Sequence, residues 1–298
     1  MKQRLYLINN KVGDASFRDA VRLVAREHGT SVSFLFANRF AFHCPRGRRD
    51  VSLYHDGKRV PFRREDRVFV RAWGAHPTAT ALLSIVLRSL GIRFVDERVH
   101  VSHGIRSSKL AHAFILKEAG IASPNTWVAT PRSFPTVRAR IEKDLRFPLV
   151  VKTKGSKGKC VWKCDTRAAL DARVAKLRKS ELILFQEYVP NESDIRAIVF
   201  DGALIGGIER SSKDGFYNNI AKGASARLVP LSREETRIAK KAAHVVGLDL
   251  AGVDIVRSAH GPLVFEVNKA PDISGFNDAA GFNIAEAIFR RYLSRARS

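Results

Sequence analysis

The tightest constraint on the fold lies near the C-terminus, where two short runs, Leu250–Val256 and Pro262–Asn268, flank a polar turn at Ser258–Gly261. This is the pattern of an antiparallel hairpin. Counting outward from a turn centred near residue 260 sets Asp254 opposite Glu266. Side chains alternate between the faces of a strand, so Glu266 and Asn268 share a face. Opposite residues in a hairpin point the same way, so Asp254 joins them. The other face then carries Val253, Ile255, Phe265 and Val267, a set suited to a core. Like charges placed opposite one another destabilise a strand pair. A magnesium ion removes the conflict, because it takes hard oxygen ligands and is commonly shared with nucleotide phosphates. The bland alternative is a solvated face carrying unrelated acids.

The rest of the chain reads as mixed α and β structure. Leu5–Ile8 is a short apolar strand, and Phe17, Val21 and Val24 follow at helical spacing before Gly29. Ser31–Phe36 and Arg67–Arg71 are further strands, and Thr80–Leu90 is a helix ended by Gly91. That order predicts a parallel sheet with covering helices; Phe40 to Arg64 fits no element. Ser108 opens a helix with Leu110 and Phe114 on one face and Gly120 at its end. Pro124 and the Pro131–Pro135 region mark a lobe boundary. The strand Leu149–Lys152, a Gly-containing loop (Thr153–Lys159), a strand near Val161 and a helix capped near Thr166 follow. That helix sets Leu170, Val174 and Leu177 on its apolar face. Asp201-Gly202 between Ile195–Phe200 and Ala203–Ile208 is a hairpin turn. Ser232 with Glu235 forms a capping box for a helix whose inner face is Ile238, Ala242 and Val245.

Composition bounds the function. No apolar run reaches the ~20 residues of a membrane helix, and the N-terminal MKQRLYLINN carries no signal-peptide core, so the expectation is a cytoplasmic protein. Cys160 and Cys164, if on one strand, stand roughly 13 Å apart, too far for a disulfide, and with Cys44 they are read as free thiols. Fifty-two Lys and Arg against 29 Asp and Glu leave a net charge of +23. Residues 132–181 alone hold 15 basic and 5 acidic residues. This excess is either solubility background, a field that draws in an acidic peptide, protein tail or phosphorylated substrate, or a nucleic-acid surface. The last is the least favoured, because no aromatic series is interleaved with the charges.

Six stretches in order carry a family resemblance: FPLVVK (147–152), FQEYV (185–189), SDIRAIVFDGALIGGIER (193–210), FYNNIAKGA (216–224), AGVDIV (251–256) and FEVNKAP (265–271). From about Ser107 onward the chain resembles the ATP-grasp domain of the RimK-like ligases, and the preceding residues resemble their N-terminal lobe more loosely. The resemblance implies that Asp254, Glu266 and Asn268 hold Mg2+, with Mn2+ an alternative. It implies that Lys152 and Lys109 reach the ATP phosphates, that Glu187 and Tyr188 lie beside adenine, and that Asp194 faces the ribose or phosphates. Asn219 would order phosphates and metal, and Arg196 and Arg210 would face the reacting groups unless they pair with local acids such as Asp194 or Glu209. The glycine loop at Thr153–Lys159 would close over the phosphates; no GxxxxGK[ST] or GxGxxG is present. The family's usual residues are absent at Lys222-Gly223-Ala224, Lys269 and Pro271-Asp272, which bears on substrate identity.

These roles suit an ATP-dependent carboxylate–amine ligase: lysines and magnesium neutralise charge during phosphoryl transfer, and an acyl phosphate is then attacked by an amine. The fold class expected is α/β (α+β ATP-grasp) in three lobes. Residues 1–100 form the N-terminal lobe and 101–298 the ATP-grasp domain, with a lid at about 131–185 and a metal-bearing lobe at about 186–298. The resemblance implies an amino acid, glutamate a candidate, added to an acidic peptide, protein tail or small carboxylate, in a homo-oligomer. The competing readings are a non-catalytic ATP-binding protein with a basic RNA- or ribosome-binding surface, and phosphate transfer to a non-carboxylate acceptor.

Overall fold

The structure, a computed structural model, describes residues 3–9, 15–44, 46, 51–71, 77–101, 108–153, 160–211 and 225–294. The N-terminal part holds β1 (Arg4–Asn9), α1 (Ala15–Glu27), β2 (Ser31–Phe36), β3 (Phe40–His43), β4 (Ser52–His55), β5 (Lys58–Arg59), β6 (Arg67–Arg71), α2 (Pro77–Ser89) and α3 (Glu97–Val101). A parallel sheet of order β2-β1-β6 forms as expected, with Phe17, Val21 and Val24 of α1 buried. Within the unassigned stretch from Phe40 to Arg64, the strands β3, β4 and β5 pair as a second, antiparallel sheet of order β3-β4-β5. Its short strands and basic edge hide the alternation that would betray it, yet Leu53 is buried and Phe40 and Phe42 pack against the same core.

The middle of the chain comprises α4 (Lys109–Glu118), β7 (Thr126–Ala129), α5 (Phe134–Leu145), β8 (Leu149–Lys152), β9 (Val161–Cys164), α6 (Arg167–Ala175) and β10 (Ile183–Glu187). Its four strands form an antiparallel sheet of order β7-β10-β8-β9, and α5 and α6 pack on it through Phe134, Ile141, Leu145, Leu170 and Val174. Two expectations are corrected here. Pro135 does not break structure but sits in the first turn of α5, where a missing N–H costs nothing and a fixed φ suits the helix. In α4 the inner face is His112 and Leu116, while Phe114 is 58% exposed. The three cysteines are free thiols.

The last part holds β11 (Ser193–Phe200), β12 (Ala203–Ser211), β13 (Ser225–Leu228), α7 (Arg233–Val246), β14 (Leu250–Ser258), β15 (Gly261–Asn268), α8 (Ile273–Ala280) and α9 (Ile284–Ser294). Its antiparallel sheet runs β13-β12-β11-β14-β15. Asp201 and Gly202 both take positive φ, +52° and +67°, as the tight hairpin turn demands. Both hydrogen bonds of the capping box at Ser232 and Glu235 are present. Val246 takes the core position expected of Val245, which stays half-buried.

The five-stranded sheet is covered differently on its two faces. One face, with Ile195, Ala197, Val253, Ile255, Val264 and Val267, packs on Ile238, Ala239, Ala242 and Val246 of α7. Part of the other face, with Ile198, Phe200 and Ile208, shares a core with α1, Leu5, Leu7 and Phe69 of the N-terminal part and with α8 and α9. Phe69 stacks on Phe200 at 6.0 Å between ring centres, and Tyr292 donates to the Val68 carbonyl at 2.9 Å. The N-terminal sheet and the C-terminal sheet are therefore joined through one hydrophobic core. Among the described residues, no helix is long and apolar enough to cross a membrane.

A reciprocal pair of carboxylates pins that junction. Asp96 Oδ1 accepts from the backbone N–H of Asp249 (2.6 Å) and Leu250 (3.0 Å), and Asp249 Oδ2 accepts from the Asp96 N–H (2.7 Å). Burial, reinforced by the neighbouring Asp249 charge, pushes Asp96 well above the ordinary carboxylate value of 3.8. Replacing Asp96 by Ala strands one buried and one part-buried N–H group and is expected to cost about 2–4 kcal/mol in denaturant unfolding. Asp96→Asn keeps an acceptor and is expected to cost less. Because the folded-state pKa is raised, the wild-type carboxyl favours folding below its unfolded value and opposes it as pH rises through the folded value. The stability of Asp96→Asn relative to wild type should therefore improve as pH rises above the unfolded value of about 4, which denaturant midpoints measured at increasing pH would read.

Candidate active site

The register of the large sheet assembles the site. Asp254 on β14 lies opposite Glu266 on β15, and Gly252 lies opposite Asn268. On the other side Asp254 lies opposite Arg196 of β11, and Asp194 lies opposite Arg210 of β12. Opposite residues share a face, so Asp194, Arg196, Arg210, Asp254, Glu266 and Asn268 all project to one side. That side is the continuation of the Ile198–Phe200 core surface, beyond the point where the N-terminal part stops covering it.

A β-bulge between Asp254 and Ile255 corrects one detail of the hairpin. Past it Ile255 pairs with Val264, not Phe265. The extra residue of a bulge is left unpaired and re-aimed. Val264 therefore joins the buried face, while Phe265 is half-buried with the Lys152 ammonium 5.9 Å from its ring centre.

Charge alternates across the strands. Arg196 grips Asp254 with two hydrogen bonds, Nε to Oδ1 and Nη2 to Oδ2, the latter at 2.9 Å. Arg210 grips Asp194 in the same way at 2.7 and 2.8 Å and also reaches Asp254 Oδ1 at 3.2 Å. Asn268 Nδ2 donates to Asp254 Oδ2 at 3.1 Å. Burial alone would raise Asp254, but the Arg196 and Arg210 guanidinium groups outweigh it and hold its carboxyl below the ordinary value. Asp194 goes the other way: burial and the nearby Asp254 charge carry it up to about 6 against the pull of Arg210.

The lysines arrive from other elements. Lys109, in the first turn of α4, sets its ammonium 2.6 Å from Glu266 Oε1. Lys152, the last residue of β8, donates to Gln186 Oε1 at 2.6 Å. Desolvation lowers the Lys152 pKa, offset in part by Glu266 and deepened by Lys109. Four cations (Lys109, Lys152, Arg196 and Arg210) thus meet three carboxylates (Asp194, Asp254 and Glu266) where the central sheet faces the large one.

Glu187 and Tyr188 stand apart at the end of β10. Glu187 Oε1 accepts from the Asn125 N–H at 2.9 Å, and the Lys163 ammonium lies 4.5 Å from the Tyr188 ring centre. Asn219, the 154–159 part of the glycine loop and Lys222-Gly223-Ala224 lie outside the described residues. Gln186 was not anticipated: it is 5% exposed, accepts from Lys152, and donates to Thr126 Oγ1 at 3.1 Å. The signal is that Gln186 extends the apolar run Ile183–Phe185 as a buried polar residue.

Comparison with known proteins gives the fold and the family. The solved structure of the ATP-grasp ligase PsnB complexed with minimal precursor, Mg and ADP superposes with a TM-score of 0.74 at 18% identity, covering 97% of this chain and 96% of that one. A probable alpha-L-glutamate ligase 1 of Shewanella denitrificans is 36% identical over 249 residues, 80% of this chain and 81% of the relative. A probable alpha-L-glutamate ligase of Thioalkalivibrio sulfidiphilus is 35% identical over 205 residues, so that the match spans 66% of that relative's length. Residues 106–292 match the RimK-like ATP-grasp domain. By that match, which takes in every strand of the large sheet, the chain belongs to the RimK-like ATP-grasp family.

Proposed function

We propose that the protein is an ATP- and magnesium-dependent carboxylate–amine ligase. The observation that carries the reading is the set of oxygen donors on one sheet face, Asp254 opposite Glu266 with Asn268 beside them, confronted by lysines from two other elements. Two carboxylates and an amide oxygen are hard donors of the kind magnesium takes. The Lys109 ammonium already fills the place of a cation, bonded to Glu266 and lowering Asp254 through its charge. Its side chain is 49% exposed, so it can turn to a phosphate when a metal takes its place. Asp254, Glu266 and Asn268 would hold the ion, which supplies charge neutralisation for the phosphates.

Position and the family resemblance support the remaining roles. Lys152, desolvated and aimed between the two sheets, binds a phosphate oxygen, and Gln186 holds it there. Glu187 and Tyr188, at the end of β10, line the base. Arg196 and Arg210, locked by Asp254 and Asp194, present fixed positive charge to the oxyanion that develops during acyl transfer. In the reaction a substrate carboxylate oxygen bonds to the γ-phosphorus as the bond to ADP breaks. The amine nitrogen then bonds to the acyl carbon, inorganic phosphate leaves, and the ammonium proton passes to solvent. Residues 1–100 serve as an acceptor-binding lobe, about 131–185 as the lid and about 186–298 as the metal-bearing lobe. The names of the relatives and the precursor bound to PsnB support an amino acid, glutamate first, added to a peptide carboxylate.

Magnesium-dependent ADP release should require both a carboxylate donor and an amine, and Glu266→Ala should lower it at least about 100-fold. Release from ATP with water alone, equal in both proteins, would count against the ligase. The +23 charge supports an acidic acceptor. Its KM should then rise several-fold between roughly 50 mM and roughly 500 mM salt, as screening removes the attraction; a KM indifferent to salt would argue for a neutral one.

A further inference from the structure

The parallel sheet points the C-terminal ends of β1, β2 and β6 to one side. β1 lies between the other two, so the chain runs outward to β2 and later returns on the opposite flank of β1. The crevice between the ends of β1 and β6 is therefore the topological switch point, where open α/β sheets bind ligands. Arg71 is the last residue of β6, and its register partner is Asn9, the last residue of β1.

Among the described residues Arg71 has few hydrogen-bonding partners. Its hydrogen bonding among them amounts to Nη2 donating to the Pro271 carbonyl at 3.2 Å, out of five N–H donors. The Phe17 ring covers one side, 5.0 Å from the guanidinium carbon. Two carboxylates lie near enough to act on its charge, Asp96 and Asp272, but both are engaged elsewhere. Asp96 takes the Asp249 and Leu250 N–H groups, and Asp272 caps α8 through the Gly275 N–H. Desolvation by the surrounding protein draws the half-buried guanidinium down to about 10.

The strand end adjoins the charged sheet face through Pro271. Pro271 follows Asn268 by three residues, and a Cβ added to Gly252 would stand 2.9 Å from Pro271 Cβ and 3.1 Å from Arg196 Cδ. Pro271 and Arg196 thus crowd the same glycine, beside Asp254. The Lys269 charge acts on His100, whose ring bonds the Val70 backbone, so a second cation lies near the same strand end. The carboxylate that is activated must lie by the phosphates. A carboxylate at Arg71 is then a second, unreactive one. In an amino acid the amine lies two bonds from the α-carboxylate, so fixing the one aims the other.

We infer that Arg71, at the switch point of the N-terminal sheet, binds the α-carboxylate of the amino acid whose amine is joined to the activated carboxylate. The guanidinium fork matches a carboxylate with two parallel hydrogen bonds. This rests on the ligase reading for the fate of the amino acid, but the binding itself can be read apart from turnover.

The test is calorimetry on the full chain loaded with magnesium and a non-hydrolysable ATP analogue, with L-glutamate, L-glutamine and L-isoglutamine (the α-carboxamide of glutamate) as probes. Wild type should bind isoglutamine at least about tenfold more weakly than glutamate. Arg71→Gln should bind both at the isoglutamine level while its affinity for the ATP analogue is unchanged. Arg71→Lys keeps the charge without the fork, so it should retain only part of the preference, and it carries the comparison if Arg71→Gln does not fold. Equal binding of glutamate and isoglutamine by wild type, an undiminished preference in the variants, discrimination confined to glutamine, or no binding of glutamate by wild type would each overturn the assignment. ADP release and amide formation are followed in parallel. Glutamate bound through Arg71 with no amide formed would sink the ligase reading and leave this site standing.

Discussion

Asp254 is a carboxylate almost wholly removed from water, and the site depends on how its charge is balanced. A buried charge left unpaired is costly, and a pair is tolerable only when its geometry is good and its remaining lone pairs are satisfied. Here both oxygens are used: Arg196 takes the two together, Arg210 adds a contact to one and Asn268 to the other. Arg210 is in turn fixed by Asp194. The result is an alternating row of charges across three adjacent strands, rigid because each member is locked by its neighbour. Glu266, opposite Asp254, would be repelled by it, and the structure answers with the Lys109 ammonium. The need for a cation at that place is built into the register of the hairpin.

The same sheet face serves two purposes along its length. Near Ile198 and Phe200 it is apolar and packed beneath the N-terminal part and α9; near Asp194, Arg196 and Asp254 it is charged and adjoins the end of β6 through Pro271. The N-terminal part is thereby more than an appendage. Its β6 supplies Phe69 to the shared core and Arg71 to the crevice, on opposite sides of the change from apolar to charged. The central sheet approaches from another direction, and Lys152 is the residue that reaches across.

Much of this was legible in the order of residues. Period-two alternation in Leu250–Asn268 and the Asp201-Gly202 turn are local signals, and each led to the observed hairpin. The capping box at Ser232 and the apolar spacing of α1 are equally local. Where the reading failed, a contact distant in sequence had decided the outcome. Phe265 left the buried face because a bulge moved Val264 into it. In α4, the side turned inward carries His112 and Leu116 because that side meets α7, and no count of apolar residues within the helix separates it from the side holding Phe114. The strands from Phe40 to Lys58 are too short and too basic to announce themselves, and become a sheet only by packing Leu53 against the N-terminal core.

The sequence by itself determined which side chains share a face, because alternation and helical spacing follow from backbone geometry within a single element. It therefore determined the Asp254, Glu266 and Asn268 set. Only the tertiary structure decided what those faces meet. It set Arg196 against Asp254, put Lys109 on Glu266, gave Lys152 to Gln186, and brought Arg71 to Pro271 two hundred residues away. Pairing between strands, and packing between sheets, depends on burial summed over the whole chain, and no local pattern encodes that sum.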